Sequence, residues 1–226
     1  MKDTSKAEIP GTSKESAMNL LMDRIQSPIG DILIVSDGEN LCAVEFDNGE
    51  GRLGVYLHKR FGDFTLHQSD DPQGFSDRLR AYFGGNIHAL DDIPVATGGT
   101  EFQRRVWMAL REIPSGSTTS YGELAKKIGK PGASRAVGLA NGMNPIPIVL
   151  PCHRVIGADA SLTGYGGGLD RKRWLLEHEG ALLNLGESSR AGRPSRAMQT
   201  PSTSDRRLEQ IGRSDRGNPM NTGDYR

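Results

Sequence analysis

The chain has 226 residues, 35% of them hydrophobic, and no net formal charge, so it has room for one large domain or two small ones. Two cysteines are too few for a disulfide framework and are typical of free thiols in a reducing compartment. No apolar run approaches the length needed to span a membrane, and the N-terminus lacks the apolar segment of a signal peptide. We therefore expect a soluble cytoplasmic protein with no membrane partner.

The charge is unevenly distributed along the chain. Residues 1–99 carry a net charge of −7, residues 100–183 a net +4 and residues 184–226 a net +3. A positive excess suits a nucleic-acid backbone, but it also suits many ordinary protein surfaces.

The first hundred residues predict a leader followed by a small domain. Residues 1–18 lack apolar periodicity and predict a disordered leader, while residues 19–98 predict an α/β domain. Within it we expect a small antiparallel sheet with flanking helices, because short β-branched runs alternate with apolar residues spaced four apart. The strands are predicted at 20–25, 32–35, 41–46 and 64–67, and the helices around Leu57 and Leu79.

Residues 99–185 predict a second, mainly helical domain after a linker at 91–99. Thr100 with Gln103, and Ser120 with Glu123, have the spacing of capping boxes that begin helices. A further helix is expected from Pro131 to about residue 142, because proline favours the first turn of a helix. Two short helices joined by a tight turn make a helix-turn-helix, which either binds DNA or is an ordinary helical hairpin.

Residues 151–155, Pro-Cys-His-Arg-Val, place a thiol beside an imidazole and a guanidinium. Cationic neighbours lower the pKa of a thiol, and the nearby prolines restrict the backbone that carries Cys152. Cys152 is thus either a positioned nucleophile or a buried small hydrophobic residue.

The glycine-rich run at 163–168 predicts a loop whose backbone approaches a ligand closely, or else a flexible turn. A last helix is expected to begin with Asp170 as its N-cap and to end near Gly180. Glu179 lies in its final turn, where the helix dipole disfavours an anion, so this carboxylate either orients a histidine or is a solvated surface charge. Residues 186–226 predict a disordered tail.

Taken together, six motifs resemble the O6-alkylguanine-DNA alkyltransferases, also called methylated-DNA-protein-cysteine methyltransferases. They cover most of residues 100–180 in the family's order, while the N-terminal domain fits the family's α/β partner domain only loosely. The motifs are FQRRVW from Phe102, SYGELA from Ser120, SRAVGLA from Ser134, NPIPIVLPCHRVIG from Asn144, TGYGGG from Thr163 and WLLEHEG from Trp174.

The resemblance implies direct-reversal DNA repair with no cofactor and a single turnover. Cys152 would accept the alkyl group of O6-alkylguanine, with O4-alkylthymine as a second substrate, and would become S-methylcysteine. His153 would take the thiol proton through a water, and Glu179 would orient that imidazole. A bacterial protein of this kind would be associated with the nucleoid.

The resemblance also implies how DNA is bound. The helix-turn-helix would enter the minor groove of double-stranded DNA, and the protein would act as a monomer. Arg135 would fill the stack after the damaged nucleotide is extruded, and Tyr121 would donate a proton or hydrogen bond toward the departing guanine. Asn144 would tie the recognition helix to the active-site strand, and Arg154 would buttress the site.

Tyr165 and Gly166 would bind the substrate in the glycine-rich loop. Gly166 stands where certain family members have serine, so backbone amides would remain to bind the oxygen of the lesion. The zinc-binding cysteines that some family members carry in the N-terminal domain are missing, and the histidines have no metal-ligand spacing, so we expect no metal site.

Three other functions remain open from the sequence. An alkyltransferase-like sensor would bind lesions without transfer, although such relatives replace the acceptor cysteine. A helix-turn-helix regulator would bind an operator sequence rather than damage. A Cys-His hydrolase would turn over an ester or a peptide.

Overall fold

The computed structural model describes residues 17–47 and 51–182. The predicted leader therefore lies outside the described residues except at its end, where the first strand already begins at Met18. The predicted tail at 186–226 lies wholly outside them.

The N-terminal part is built on a four-stranded sheet. Its strands are β1 (Met18–Ile25), β2 (Ile32–Ser36), β3 (Leu41–Phe46) and β4 (Phe64–Gln68), in the spatial order β3-β2-β1-β4. The expected antiparallel sheet is wrong in one pairing, because β4 runs parallel to β1. The cause is helix α1 (Arg52–Phe61), which carries the chain from one edge of the sheet to the other and so supplies the crossover that parallel pairing requires.

Both faces of this sheet are buried because the strands alternate their side chains between two cores. Leu20, Val35 and Ala43 pack with Leu57 of α1 on one face. Ile34 and the other inward-facing residues of the opposite face join a larger core that extends into the C-terminal part of the chain.

Helix α2 (Phe75–Phe83) packs on that second face, and the segment after it is ordered rather than a free linker. The amide of Leu41 donates to the carbonyl of Pro94, and the amide of Ala96 donates to the carbonyl of Leu41, so the segment pairs with the edge strand β3. The hydroxyl of Tyr56 donates to the carbonyl of Thr97 at 2.8 Å.

The C-terminal part is mainly helical. It contains α3 (Glu101–Leu110), β5 (Thr119–Ser120), α4 (Tyr121–Lys127), α5 (Ser134–Gly142), a 3₁₀ turn (Cys152–Arg154), β6 (Val155–Ile156) and α6 (Leu169–His178). Both predicted capping boxes are present, at Thr100 with Gln103 and at Ser120 with Glu123. Helices α4 and α5 form the predicted helix-turn-helix.

Two predicted helix starts are wrong. Helix α5 begins at Ser134 rather than Pro131, because Gly132 has a φ of 88° and the chain first makes a turn in which Ala133 donates to the carbonyl of Lys130. Helix α6 begins after Gly168, and its N-cap makes no side-chain hydrogen bond, so Asp170 lies in the first turn instead of capping it.

One apolar core joins the two parts of the chain. It includes Phe46 of β3, Leu79 of α2, Trp107 of α3 and Leu175 of α6. No helix within the described ranges is long and apolar enough to cross a bilayer.

Candidate active site

Cys152 begins the 3₁₀ turn and is almost completely buried. The approach to it is tightly constrained, since the amide of Leu150 donates to the carbonyl of Ile146 and the amide of Cys152 donates to the carbonyl of Leu150 at 2.7 Å. Ile148 in this approach has a φ of 76°, a conformation that is costly for a β-branched residue and persists only where the surroundings impose it. The backbone therefore holds the thiol in one place.

His153 and Arg154, the other two residues of this turn, converge on the carboxylate of Glu179 at the end of α6. The Nε2 atom of His153 lies 3.0 Å from Oε1 of Glu179. Arg154 donates to both carboxylate oxygens at 2.8 Å and also to the carbonyl of Ile113 and the hydroxyl of Ser115. All three charged or titratable side chains are buried. This arrangement matches a base whose orientation is fixed by a carboxylate.

The electrostatics of this cluster follow from its burial and its charges. Burial disfavours the ionised form of Glu179, but the hydrogen bonds and charges of His153 and Arg154 outweigh it and hold the pKa of the carboxyl well below its usual range. Burial lowers the pKa of His153, against the opposite effect of Glu179. His153 is therefore neutral near pH 7, and its Nδ1 atom has no hydrogen-bond partner among the described residues.

The thiol of Cys152 is protonated at rest, because burial raises its pKa to about 11. A hydrogen bond from Asn144 and the positive charge of Lys172 act in the opposite direction and favour the thiolate. Lys172 is fully buried on α6, where burial lowers its pKa to about 8, and its charge interacts with Cys152. A thiol in this environment becomes a nucleophile only when its proton is removed.

The glycine-rich loop is tied to the same site. The Nζ atom of Lys172 donates to the carbonyls of Val155 and Thr163 at 2.6 and 2.5 Å. The hydroxyl of Tyr121, the first residue of α4, donates to the carbonyl of Thr163 at 3.1 Å and lies 3.3 Å from that of Gly164. One loop carbonyl is thus held by a lysine and a tyrosine from different helices.

A cavity of about 170 Å³ opens beside the thiol. Its walls come from both parts of the chain, and they include Phe46, Arg52, Asn144, Pro147, Cys152, Tyr165 and Gly166. A Cβ atom at Gly166 would meet only ordinary contacts, the nearest being the carbonyl of Gly142 at 3.6 Å, so a side chain is sterically tolerated there. At Gly167 a Cβ atom would lie 2.5 Å from Phe46, so glycine is required where the loop meets the sheet.

Asparagines link helix α5 to the turn that carries Cys152. Asn141, on α5, donates to the carbonyl of Cys152 at 3.3 Å. Asn144, just beyond α5, donates to the carbonyl of Leu150 at 2.7 Å and accepts from the amide of Ile146 at 3.0 Å. Asn144 was predicted to make this link to a strand. The structure instead shows a turn at Cys152, which both asparagines contact.

Helix α5 presents an exposed face that is separate from the buried cluster. Arg135 is exposed at its first turn, and the side chains of Leu139 and Met143 are 68% and 49% exposed. Gly138 and Ala140 lie on the two flanks of this face, where Gly138 faces the ring of Tyr121 and the carbonyl of Ala140 accepts from Trp107 at 2.8 Å. The small residues thus let α5 pack closely on its neighbours, while apolar side chains remain exposed.

The structure gathers seven of the other eight predicted site residues around Cys152 and leaves Arg135 on the exposed face of α5. The sequence analysis missed Asn141, Lys172 and Tyr82, whose hydroxyl donates to Glu179 at 2.8 Å. Asn141 directly follows one of the quoted motifs and Lys172 lies between two of them, and only their burial singles them out. In the described ranges, no three His, Cys, Asp or Glu side chains are grouped as metal ligands.

Two families match the chain in sequence. The 6-O-methylguanine DNA methyltransferase, DNA binding domain family matches residues 101–181, and the 6-O-methylguanine DNA methyltransferase, ribonuclease-like domain family matches residues 20–97. A methylated-DNA–protein-cysteine methyltransferase from Shigella flexneri is 49% identical over 169 residues, which cover 74% of this chain and 99% of that protein. A protein of the same name from Methanosarcina acetivorans is 49% identical over 69% of this chain and 96% of its own length.

The chain is also similar to solved structures of O6-methylguanine methyltransferases. The crystal structure of Mycobacterium tuberculosis O6-methylguanine methyltransferase has a TM-score of 0.61 and 44% identity, and the similarity covers 72% of this chain and 93% of that one. A crystal structure of M. tuberculosis OGT in complex with DNA has a TM-score of 0.60 and 43% identity, with the same coverage.

Proposed function

Because the chain belongs to the 6-O-methylguanine DNA methyltransferase family, we propose that it repairs O6-alkylguanine in DNA by moving the alkyl group to its own Cys152. The proposal rests on one observation: Cys152 is buried in the wall of a cavity and lies next to His153, which contacts Glu179. The reaction is direct reversal and needs no cofactor.

The transfer is a displacement at the alkyl carbon. His153 takes the thiol proton through one water at Nδ1, the ring atom that does not face Glu179. The sulfur of Cys152 forms a bond to the alkyl carbon while the bond from that carbon to O6 breaks, and its electron pair stays on the guanine. The Tyr121 hydroxyl gives its proton to the guanine and regains one from solvent, while His153 releases the thiol proton to solvent, so that the protons balance. Lys172 stabilises the thiolate as it forms.

The thioether has no route back to the thiol, so each molecule acts once. Glu179 holds His153 in place and balances the positive charge that the imidazole gains. Arg154 keeps that carboxylate ionised and anchors the turn to Ile113 and Ser115.

DNA binding is assigned to the exposed face of α5. A base inside a duplex is out of reach of a buried thiol, so the damaged nucleotide must leave the stack, at a cost of about a few kcal/mol. Arg135 fills the gap, and the apolar side chains of Leu139 and Met143 enter a minor groove. The protein binds double-stranded DNA as a monomer, in the cytoplasm and, in a bacterium, at the nucleoid.

The cavity binds the extruded base between Tyr165 and Pro147. Backbone amides around Gly166 bind the oxygen of the lesion, because this position has no side-chain hydroxyl. O4-alkylthymine is the second substrate that the same displacement would serve.

A non-catalytic lesion sensor is the second candidate, favoured by one observation, the raised pKa of the resting Cys152 thiol. The two functions differ in whether the protein gains mass. We expect intact-mass analysis, after mixing with a duplex that carries one O6-methylguanine, to show a gain of one methyl group in place of one hydrogen, saturating at one per molecule.

The Cys152→Ala variant is the matched control and should bind the same duplex without any gain. Transfer retained in this variant would move the acceptor to Cys42 and refute the assignment. Binding without a mass gain in the unmodified protein would establish the sensor.

A further inference from the structure

Tyr82 brings the N-terminal part of the chain into the catalytic cluster. It lies on α2, is 1% exposed, and donates its hydroxyl hydrogen to Oε1 of Glu179 at 2.8 Å across 97 residues of sequence. Its backbone carbonyl accepts a hydrogen bond from Nε2 of His178 at 2.7 Å, and its ring meets the His178 ring edge-on. Tyr82 therefore contacts two consecutive residues at the end of α6.

The two carboxylate oxygens of Glu179 accept different numbers of hydrogen bonds. Among the described residues, Oε1 accepts from His153, Arg154 and Tyr82, whereas Oε2 accepts from Arg154 alone. Any rotation of the carboxylate would disturb the three bonds at Oε1 together. The Tyr82 hydroxyl is thus one of the contacts that decide where His153 points.

We infer that Tyr82 is a positioning residue for alkyl transfer, which holds the Glu179 carboxylate in the orientation that orients His153. This role rests on the proposed function, because it acts through His153 as the base. It means that the N-terminal part of the chain supplies a hydrogen bond to the catalytic cluster in addition to packing against it.

Removal of the Tyr82 hydroxyl changes the electrostatics of His153 in a definite direction. The charged and titratable groups that the described residues place around His153, Glu179 and Tyr82 all remain when the Tyr82 hydroxyl is removed. They are Cys152, Arg154, Tyr165, Lys172 and His178. Without that donor the carboxylate of Glu179 is less stabilised and attracts the imidazolium form of His153 more strongly. The pKa of His153 then rises, and the acidic limb of the transfer rate moves to higher pH.

The test is the Tyr82→Phe variant, which removes only the hydroxyl and keeps the ring. Its matched control is Ser76→Ala on the same helix, where a buried hydroxyl also donates to a carboxylate, that of Asp23 at 2.5 Å, outside the active site. We expect both variants to lose thermal stability. We expect only Tyr82→Phe to slow methyl transfer from an O6-methylguanine duplex, by about tenfold, since the lost bond is to a charged group, and to shift the acidic limb upward.

A fluorinated tyrosine in place of Tyr82 is a second variant that preserves the fold. Its more acidic phenol is a stronger donor, so the acidic limb should move in the opposite direction, to lower pH. Unchanged pH profiles in both replacements, with transfer intact in the unmodified protein, would overturn the role of Tyr82. Absence of transfer in the unmodified protein would instead refute the proposed function.

Discussion

Lys172 shows how one buried residue can prepare a thiol for reaction. Its ammonium group is fully buried, and in the described part of the chain its hydrogen bonds go only to carbonyl oxygens. Burying a cation without a carboxylate is costly, and the thiolate of Cys152 is the negative charge with which it interacts. The cost of this burial is offset when the thiolate forms.

Replacement of Lys172 by Met should therefore raise the pKa of the Cys152 thiol further above about 11, by about one unit or more. Because a higher pKa leaves less thiolate at neutral pH, the rate at which iodoacetamide alkylates Cys152 should fall as well. The measurement is the pH dependence of iodoacetamide alkylation at Cys152, with peptide mapping to separate it from Cys42, whose pKa burial raises to about 12.

Lys172→Arg is the matched control because it keeps the charge. A pKa of the Cys152 thiol in Lys172→Arg that equals the value in the unmodified protein supports the electrostatic role of Lys172. Equal pKa values in the unmodified protein and in Lys172→Met would contradict it.

The sequence predicted the residues that lie together within a motif, and it missed those that the fold brings in from elsewhere. Cys152 and His153 are adjacent in the chain, and Glu179 was singled out because the helix dipole disfavours it. Tyr82 has no such signal, since the contact between α2 and α6 depends on how the sheet packs against the helices. Lys172 reads as one of several basic residues until its burial is known.

The bounds of helix α5 were only partly predictable from the sequence. Pro131 predicted a helix here, but the start of α5 depended on the φ of Gly132, which a proline-based rule does not anticipate. The parallel pairing of β4 was missed for a similar reason, because a helical spacing in the sequence does not say which edge of the sheet the chain reaches next.

Arg135→Ala should slow repair in duplex DNA by about tenfold or more and leave repair in a single strand nearly unchanged, because only a duplex has a stack to fill. The measurement compares the rates of methyl transfer from the same O6-methylguanine oligonucleotide with and without its complement. Arg173→Ala, an exposed arginine on α6, controls for the loss of one positive charge. Equal losses in the two substrates would count against a stack-filling role.

At the scale of the whole molecule, the two parts of the chain share a core and a cavity rather than acting as independent domains. The cavity beside Cys152 has Phe46 and Arg52 on one side and Tyr165 on the other. Arg52 donates to Glu45 at 2.9 Å and lies 3.4 Å from the carbonyl of Gly166. Arg52 thereby bridges the sheet and the glycine-rich loop. The geometry of this cavity therefore depends on how closely the loop approaches the sheet.

Gly167→Ala tests this dependence, since a Cβ atom there would lie 2.5 Å from the ring of Phe46 and 2.8 Å from that of Tyr165. Overpacking of this kind costs about 1–3 kcal/mol of folding stability, and it moves Tyr165, a wall of the cavity. We expect a lower midpoint of thermal unfolding and slower transfer. Gly54→Ala, in α1 with no atom within 4 Å of the added carbon, should be neutral or stabilising and leave transfer unchanged. Full transfer by a destabilised Gly167→Ala variant would show that the pocket tolerates displacement of the loop from the sheet.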